Sequence, residues 1–378
     1  MIKDFNTYIS EGLFDRNQSE FNIQKTDKGI EQVCIPKTKN ELYKYIDIAI
    51  ESAKKDGIYP DVNLNNIDVS KLGHDVLKGL FGDVYKQINP DISNWDIKYI
   101  PNNFFDSNKQ IKEFTIPNSV TSIGFRSFGG CDCLVSITIP DSVTSIGDCA
   151  LFGCTSLTSV EIPNSVTSID DWTFGNCSSL TSVEIPNSVT SIDDFAFSGC
   201  IGLTYIEISN SVTRIGQQTF YGCEGLTSVT IGNRVTSIGC EVFEGCSSLT
   251  SVVWNAKNCS DFEKDSTPFY YNDYYTLYDL RPQITSFTFG NEVEYIPDNL
   301  CSGMPNLTSI VIPNSVTCIG NHAFTGCRGL TSVTIPDSVA IIGEDSFFGC
   351  TGLTSVTISK HCHIEMNSFP KKCKIIRK

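Results

Sequence analysis

Apolar residues return at a fixed interval along most of this chain, and the interval is 23 residues. In the unit IPNSVTSIGxxAFxGCxSLTSVx they occupy the first, fifth, eighth, thirteenth, sixteenth, nineteenth and twenty-second positions. A helix would repeat about every 3.6 residues and a strand every two, and the pattern keeps neither period for long. It therefore predicts a closed coil of chain that points one apolar side chain inward at each corner.

The register of this repeat runs from Ile116 to Trp254 and resumes from Phe289 to Ile358. Trp254 and Phe289 are 35 residues apart, so one coil is larger than the others by twelve residues. A single coil cannot bury its own apolar edge, but stacked coils bury one another's. The pattern thus predicts a β-rich repeat solenoid in which the segment Leu180 to Ile185 and its equivalents form a parallel sheet.

Equivalent residues of stacked strands lie about 4.8 Å apart, so identical residues form ladders through the core. One ladder is an aromatic spine, in which Leu151 and Cys301 replace phenylalanine in two coils. The proline after each strand ends its hydrogen bonding because it has no N–H, and the glycine before each cysteine permits a sharp bend. The phenylalanines of the predicted spine are Phe128, Phe174, Phe197, Phe220, Phe243, Phe324 and Phe347.

The run IPNSVTSIG followed by AF, GC and SLTSV resembles the BspA-type leucine-rich repeats, from about Ile92 to Ile358. The resemblance implies a right-handed leucine-rich-repeat array with a parallel β-sheet. It also implies a non-catalytic surface adhesin or binding module, not an enzyme. The segment from Asn65 to Phe105 resembles the degenerate first coils of related repeats.

The chain divides by these patterns into six parts. Thr38 and Glu41 form a capping box, and the apolar residues behind it have helical spacing, so residues 38–56 are predicted to form an amphipathic helix. We expect that helix to cover the amino-terminal coil; the alternative is a helix that binds a partner. The parts are a leader with this helical cap (1–61), degenerate coils (62–115), regular repeats (116–254), the enlarged repeat (255–288), regular repeats (289–358) and a basic carboxy-terminal cap (359–378).

The charge of the chain limits its partners and its location. The net charge of −15 argues against nucleic acid, whose backbone is bound by clustered Lys and Arg. No run of eighteen apolar residues is present, which predicts no membrane insertion. The first residues lack the apolar centre of a secretory signal, so we expect a cytoplasmic or virion-associated protein, or a surface protein exported by an unconventional route.

The first twelve residues, MIKDFNTYISEG, resemble the short capsid-targeting leaders of large tailed phages. In that family a protease cuts after the glutamate of the motif, which would place the cut between Glu11 and Gly12. The resemblance implies that the array is carried by a virion. An ordinary frayed helix explains the same residues equally well.

The seventeen cysteines invite a metal or redox interpretation, but eight of them share one repeat position. Such a ladder is typical of buried, reduced thiols in a reducing compartment. The histidines and cysteines between His361 and Cys373 are the one cluster that resembles a zinc site, and in an extended segment Cys362 points away from both histidines. We therefore predict no metal, no cofactor and no catalytic site. The eight cysteines are Cys131, Cys154, Cys177, Cys200, Cys223, Cys246, Cys327 and Cys350.

The enlarged repeat carries the first candidate binding site. Six aromatic residues lie within ten positions, mixed with acids and asparagine, and aromatic rings with polar tips dominate binding sites. The alternative is a loop whose rings pack on the side of the solenoid. The six residues are Phe269, Tyr270, Tyr271, Tyr274, Tyr275 and Tyr278.

A second candidate lies on the outward face of the sheet. Glu161, Glu184 and Glu207 occupy one repeat position in adjacent strands, and Tyr205 lies beside the last of them. At about 5 Å each neighbouring pair of carboxylates repels by roughly 1 kcal/mol in water, which a basic partner would relieve. The alternative is a solvated sheet face whose repeats copied one acid. Four aspartates at another edge, Asp170, Asp171, Asp193 and Asp194, suggest calcium more weakly.

The sequence as a whole favours non-catalytic, adhesin-like binding of a protein or a glycan. The alternatives are a structural or head-packaged protein of a large tailed phage, or a cytosolic bacterial scaffold. The oligomeric state and the partner are left open by the sequence.

Overall fold

The computed structural model describes residues 98–263, 267–269 and 283–378, together with two short strands near the amino terminus. These strands, β1 (Gln24–Thr26) and β2 (Gly29–Gln32), pair antiparallel. The predicted leader and the predicted helix over residues 38–56 lie outside the described residues. The chain forms two compact units, residues 1–165 and residues 166–378. The described part of each unit is a β-solenoid without a helix.

In the first unit each coil contributes one strand to each of two parallel ladders. One ladder contains β3, β5 and β7, with Ile100 opposite Ile123 and Ile123 opposite Ile146; the other contains β4, β6 and β8. In both ladders an apolar residue faces its equivalent in the next coil, as the repeat predicts. The strands are β3 (Tyr99–Ile100), β4 (Glu113–Thr115), β5 (Ser122–Ile123), β6 (Ser136–Thr138), β7 (Ser145–Ile146) and β8 (Ser159–Val160).

The second unit continues the same two-strand coil. Its strands are β9 (Ser168–Ile169), β10 (Ser182–Val183), β11 (Ser191–Ile192), β12 (Tyr205–Glu207), β13 (Arg214–Ile215), β14 (Ser228–Ile231), β15 (Ser237–Ile238), β16 (Ser251–Trp254), β17 (Ser286–Phe289), β18 (Tyr295–Ile296), β19 (Ser309–Val311), β20 (Cys318–Ile319), β21 (Ser332–Thr334), β22 (Ile341–Ile342), β23 (Ser355–Ile358), β24 (His363–Ile364) and β25 (Lys374–Arg377). The longest ladders run β9-β11-β13-β15, β12-β14-β16-β17 and β18-β20-β22-β24. The pairs within them are parallel and in register.

The predicted aromatic spine is present in the core of each unit. In the second unit the rings of Phe174, Phe197, Phe220 and Phe243 are fully buried and stack nearly parallel, with centroids 5.2, 5.4 and 5.6 Å apart. Leu151 and Cys301, which replace phenylalanine, are also fully buried. The spine therefore supplies a continuous apolar core within each stack, because every ring covers the face of the next.

Backbone hydrogen bonds tie the spine region of one coil to the next coil. The amides of Phe195, Phe197 and Gly199 donate to carbonyls of the following coil, over 3.0, 2.9 and 2.7 Å. Every second amide of this segment donates to the following coil, as in a parallel ladder, although the segment turns too sharply to be a strand. Buried peptide groups are thereby paired at the corner where the spine lies.

Two residues in each regular coil have a left-handed backbone. The fifteenth position, the glycine before the cysteine, has φ of 71° at Gly153 and 74° at Gly199, which confirms the predicted sharp bend. The eleventh position also has φ between 50° and 61°, yet in the described coils its left-handed residues are not glycine. The pattern of apolar residues did not predict this second left-handed column.

The carboxy-terminal segment forms one more coil, shorter than the regular ones. Strand β24 extends the ladder of β22, β25 pairs with β23 with Ser355 opposite Lys374, and Phe369 stacks on Phe347 at 5.1 Å. Its last strand, β25, is exposed along its whole length and includes the basic residues Lys374 and Arg377. The segment predicted as a cap is thus built on the same ladders as the coils before it.

Candidate binding surfaces

Threonine ladders explain much of the polar surface of the coils. In the second unit the hydroxyl of Thr190 donates to the carbonyl of Thr167 at 3.2 Å, and Thr213 donates to Thr190 at 3.1 Å. A second column does the same, with Thr227 donating to Thr204 at 2.9 Å. These exposed hydroxyls hold neighbouring coils together, so their repetition is a requirement of the stack.

The outward sheet face carries the predicted carboxylates and tyrosine at exposed positions. Glu161 is exposed in the first unit, and Glu184 and Glu207 are exposed in the second. Tyr205 is 52% exposed at the start of β12. Glu207 faces Thr230 in the next strand, so its carboxylate has a neutral neighbour on that side. The side chains are available to a partner, and nothing in their surroundings assigns them to the core.

The enlarged coil keeps the path of a regular coil at its buried positions. Cys259 and Phe262 fill the places of the fifth and eighth residues, and both are buried. Phe269 then takes the place of the spine phenylalanine: its ring stacks on Phe243 at 5.2 Å and meets Phe287 edge to face at 6.1 Å. The backbone of the enlarged coil also keeps the contact of a regular coil, since the amide of Phe243 donates to the carbonyl of Pro268 at 2.8 Å.

Phe269 is therefore a core residue, and its prediction as a binding residue is wrong. The spacing that would have marked it as a spine residue is interrupted, because the enlarged coil has extra residues on both sides of it. The five tyrosines predicted with it, at positions 270, 271, 274, 275 and 278, lie outside the described residues.

The described residues on either side of the insert are core positions of the coil. A regular coil has five residues between the spine phenylalanine and the next strand's leucine, as between Phe243 and Leu249. The enlarged coil has fourteen between Phe269 and Ile284, and both of these residues are buried. The enlarged coil thus has nine more residues between these two buried positions than a regular coil has.

The four aspartates proposed for calcium are engaged by the protein itself. Asp171 accepts the backbone amide of Asp194 at 2.8 Å, and Asp194 in turn accepts that of Gln217 at 2.9 Å. Arg214 forms an ion pair with Asp193 and lies 3.8 Å from Asp194. Burial and the neighbouring aspartates raise the pKa of Asp193, whereas Arg214 opposes them.

The aspartates therefore have structural partners in the stack. Asn102 and Asn321 make the same contact as Asp171 and Asp194, since each side-chain oxygen accepts the amide one coil further on, at 2.8 and 2.9 Å. Within the described residues no group of three or more His, Cys, Asp or Glu side chains is placed to hold a metal ion. In the region of the suggested zinc cluster, His363 instead lies 3.1 Å from Glu365.

The cysteine column has a specific partner in the coil before it. The thiol of Cys200 donates to the carbonyl of Phe174 at 3.2 Å, and Cys223 and Cys246 repeat the contact with Phe197 and Phe220. The sixteen cysteines of the described chain are free thiols. Burial raises the pKa of Cys131 to about 12 and raises those of Cys200 and Cys246, so these thiols stay protonated and unreactive.

The residues that sequence reasoning missed are at the eleventh position of the coil. In the second unit Trp172 and Phe195 stack face to face there, with centroids 4.4 Å apart and planes 5° apart, and both rings are half-buried. The repeat formula treats this position as variable, so its pattern gave no reason to select it. The available signal was the pair of large aromatic residues where other coils have polar ones.

A comparison with protein families matches almost the whole array. The model of the BspA type leucine rich repeat region matches residues 55–158, 98–200, 146–276 and 273–377, in six copies. The chain belongs to this family. Its fold, deduced from the repeat, is thereby confirmed, and the match begins before the first described coil.

Solved structures of bacterial leucine-rich repeat proteins are similar to the chain. A leucine-rich repeat protein from Bacteroides ovatus is 28% identical with a TM-score of 0.51, over 77% of this chain and 83% of the other. A leucine rich cell surface protein from Faecalibacterium prausnitzii is 29% identical with a TM-score of 0.36, over 69% and 76%. No curated protein matches the chain. In the described part of this BspA-type chain, no helix is long and apolar enough to cross a membrane.

Proposed function

We propose that this BspA-type protein is a non-catalytic binding protein with adhesin-like recognition of a protein or glycan partner. Members of the family are generally binding proteins, and the solenoid offers long exposed faces on a rigid core. The observation that supports the proposal most is the placement of the insert. The chain has nine extra residues between the buried residues Phe269 and Ile284, in a segment with five tyrosines.

The test replaces the insert with the sequence of a regular coil. Residues 270–282 are exchanged for Glu-Gly-Cys-Ser, the segment that follows Phe243, so that Phe269, Gln283 and Ile284 are retained. Gln283 is kept because its side chain accepts a hydrogen bond from Asn306 at 2.6 Å. The exchange removes the tyrosines without opening the core, whereas a deletion from residue 262 would also remove Phe262 and Phe269.

Wild-type and exchanged proteins are then immobilised and exposed to the same extracts and glycan arrays. We expect ligands that the wild type retains and the exchanged protein loses. The control keeps the length of the insert and changes only Tyr270, Tyr271, Tyr274, Tyr275 and Tyr278 to serine. Identical retention by all three proteins would reject the insert as the binding site.

The sheet face is the second proposed site and has its own variants. Glu184→Thr and Glu207→Thr copy Thr230 from a neighbouring strand, and Tyr205→Ser copies Ser228. Each substitution uses a residue that the ladder already accepts, so the fold should be retained. If a basic partner binds this face, the triple variant binds it more weakly, and the loss shrinks as salt is raised. An unchanged affinity would leave the face as a solvated surface.

A phage origin is the alternative that the amino-terminal residues favour. It rests on Ile9, Ser10 and Glu11, which lie outside the described residues and outside the part matched by the family model. Peptide mapping of the natural protein in cell and virion fractions tests it. A chain that begins at Gly12 in virions would support a packaged protein, and an intact start in cell fractions would reject the leader.

A further inference from the structure

A column of mostly half-buried side chains runs along the eleventh position of the coils and is held in an unfavourable backbone conformation. A left-handed backbone is unfavourable for an L-residue with a Cβ, and glycine avoids that cost. Glycine is used at the fifteenth position, as at Gly199 and Gly222, but the eleventh position keeps large and varied side chains. The left-handed residues of the column are Asn103, Arg126, Cys149, Trp172, Phe195, Gln218, Glu241, Asn299, His322, Asp345 and Asn367.

The backbone hydrogen bonds of the column do not depend on which side chains it carries. The amide of Phe195 donates to Gln217 at 3.0 Å and that of Gln218 donates to Cys240 at 2.9 Å, contacts that any residue would make. Strained backbone positions that carry varied side chains are typical of functional surfaces. The column therefore calls for an explanation beyond stacking of the coils.

In the second unit the column forms a ledge of defined chemistry, which we call the aromatic–acid ledge. It consists of Trp172 and Phe195, which stack at 4.4 Å, of Glu241 further along the column, and of the carboxylates of Asp171 and Asp194 at the adjacent tenth position. Residues 166–244 contain nine acidic residues and two basic ones, Arg214 and Arg234. The ledge thus combines half-buried aromatic rings with a strongly negative surface.

One arginine of the chain is held by an aromatic ring and a carboxylate together, both from outside the column. In the first unit Arg126 occupies the same column, with its guanidinium 5.7 Å above the ring of Phe152 and 2.9 Å from the carboxylate of Asp106. In the second unit Arg214 pairs with Asp193. Guanidinium is weakly hydrated, stacks on rings and pairs with carboxylates, so aromatic and acidic groups together select it over ammonium.

We propose that the aromatic–acid ledge is a docking surface for arginine side chains of a partner protein. This inference rests on the proposed binding function, but it names a different surface and a partner chemistry. The charge complementarity gives attraction at a distance, and the rings of Trp172 and Phe195 give the preference for arginine.

The test measures binding of two labelled peptides, octa-arginine and octa-lysine, to the full chain by fluorescence anisotropy at physiological salt. The aromatic variant is Trp172→Asn with Phe195→Asn, because Asn103 and Asn299 show that asparagine adopts this backbone. Its net charge equals that of the wild type. The matched control is Phe348→Ser, which removes a ring that is 53% exposed outside the ledge.

We expect the wild type to prefer octa-arginine, and the aromatic variant to bind it about fivefold more weakly or worse while its affinity for octa-lysine changes little. Phe348→Ser should behave as the wild type. Equal affinity of the wild type for both peptides, or equal loss in the control, would overturn the proposal.

A second pair of substitutions removes negative charge from the ledge while it keeps the hydrogen bonds of the fold. Asp171→Asn and Asp194→Asn keep an oxygen for the amide of the next coil, as Asn102 and Asn321 do. We expect weaker binding of octa-arginine with an unchanged thermal midpoint, and unchanged binding would overturn the role of the carboxylates. Because neither variant alters the insert or the sheet face, their result is independent of the capture experiments.

Discussion

At the scale of single residues, the cysteine column shows how a polar group is accommodated in the core. Each thiol is small enough for the space beside the spine, and it donates to the carbonyl of a spine residue in the coil before it. The carbonyl of Phe174 also accepts the backbone amide of Cys177 at 3.1 Å, so the thiol gives it a second donor that an alanine would not supply. The column is therefore part of the scaffold, and its chemistry is suppressed by burial.

The raised pKa values of these thiols predict a loss of stability in alkali. Burial raises the pKa of Cys131 from 9.0 to about 12, so above pH 9 the unfolded chain releases a proton that the folded chain keeps. Rising pH from 9 to 12 therefore favours unfolding, and at pH 10 one such thiol costs about 1.4 kcal/mol. Urea unfolding at pH 7.5 and pH 10, in reductant, measures the effect.

The control for this prediction is Cys131→Ala. Lysine and tyrosine also titrate in alkali, so the comparison of the two proteins isolates the thiol. We expect the variant to lose about 1.4 kcal/mol less than the wild type between the two pH values. An equal loss in both proteins would show that Cys131 does not contribute.

Trp254 carries a cost that a smaller aromatic residue would avoid. Its ring is fully buried, and its indole Nε1 has no hydrogen-bond partner in the described chain. The next coil has Phe289 at the same place in the ladder. Since a buried unpaired N–H costs about 1–3 kcal/mol, the loss of volume in Trp254→Phe is largely offset.

We therefore expect Trp254→Phe to change the free energy of unfolding by less than about 1.5 kcal/mol, and Trp254→Ala to lower it by about 3–5 kcal/mol. Denaturant unfolding of both variants measures this. Similar large losses in both would mean that the indole N–H is satisfied.

At the scale of the coil, the spine is the element on which each stack depends. Phe220 is fully buried and stacks on both Phe197 and Phe243. Phe220→Ala should cost about 3–5 kcal/mol, because it leaves a cavity between two rings. Phe220→Leu should cost clearly less, since Leu151 fills the equivalent place in another coil. Thermal unfolding compares the two, and equal losses would contradict a spine that works by volume.

The features of the coil that the sequence predicts are those that repeat along it. The spine, the bend at Gly199 and the parallel ladders follow from residues that recur every 23 positions. Phe269 was assigned to a binding site because the enlarged coil shifts its spacing, and only the packing against Phe243 reveals its place. The position of Phe195 carries different residues in different coils, so the pattern of apolar positions could not predict its left-handed backbone.

At the scale of the whole molecule, the chain is an acidic array whose coils are nearly alike inside and differ at a few outer places. Its net charge of −15 sets a general preference for basic partners. The insert, the sheet face with Glu184 and Glu207, and the aromatic–acid ledge are among the places where the coils depart from the common Ser and Thr surface. A binding function explains why the departures occur outside while the core is preserved.

The measurement that tests this account most directly is isothermal titration of a captured partner against three folded proteins. These are the wild type, the protein whose insert is exchanged for Glu-Gly-Cys-Ser, and the sheet-face variant with Glu184→Thr, Glu207→Thr and Tyr205→Ser, each with its thermal midpoint measured. The account predicts at least tenfold weaker binding by one of the two variants, with unchanged midpoints. Equal affinities for all three proteins would contradict it.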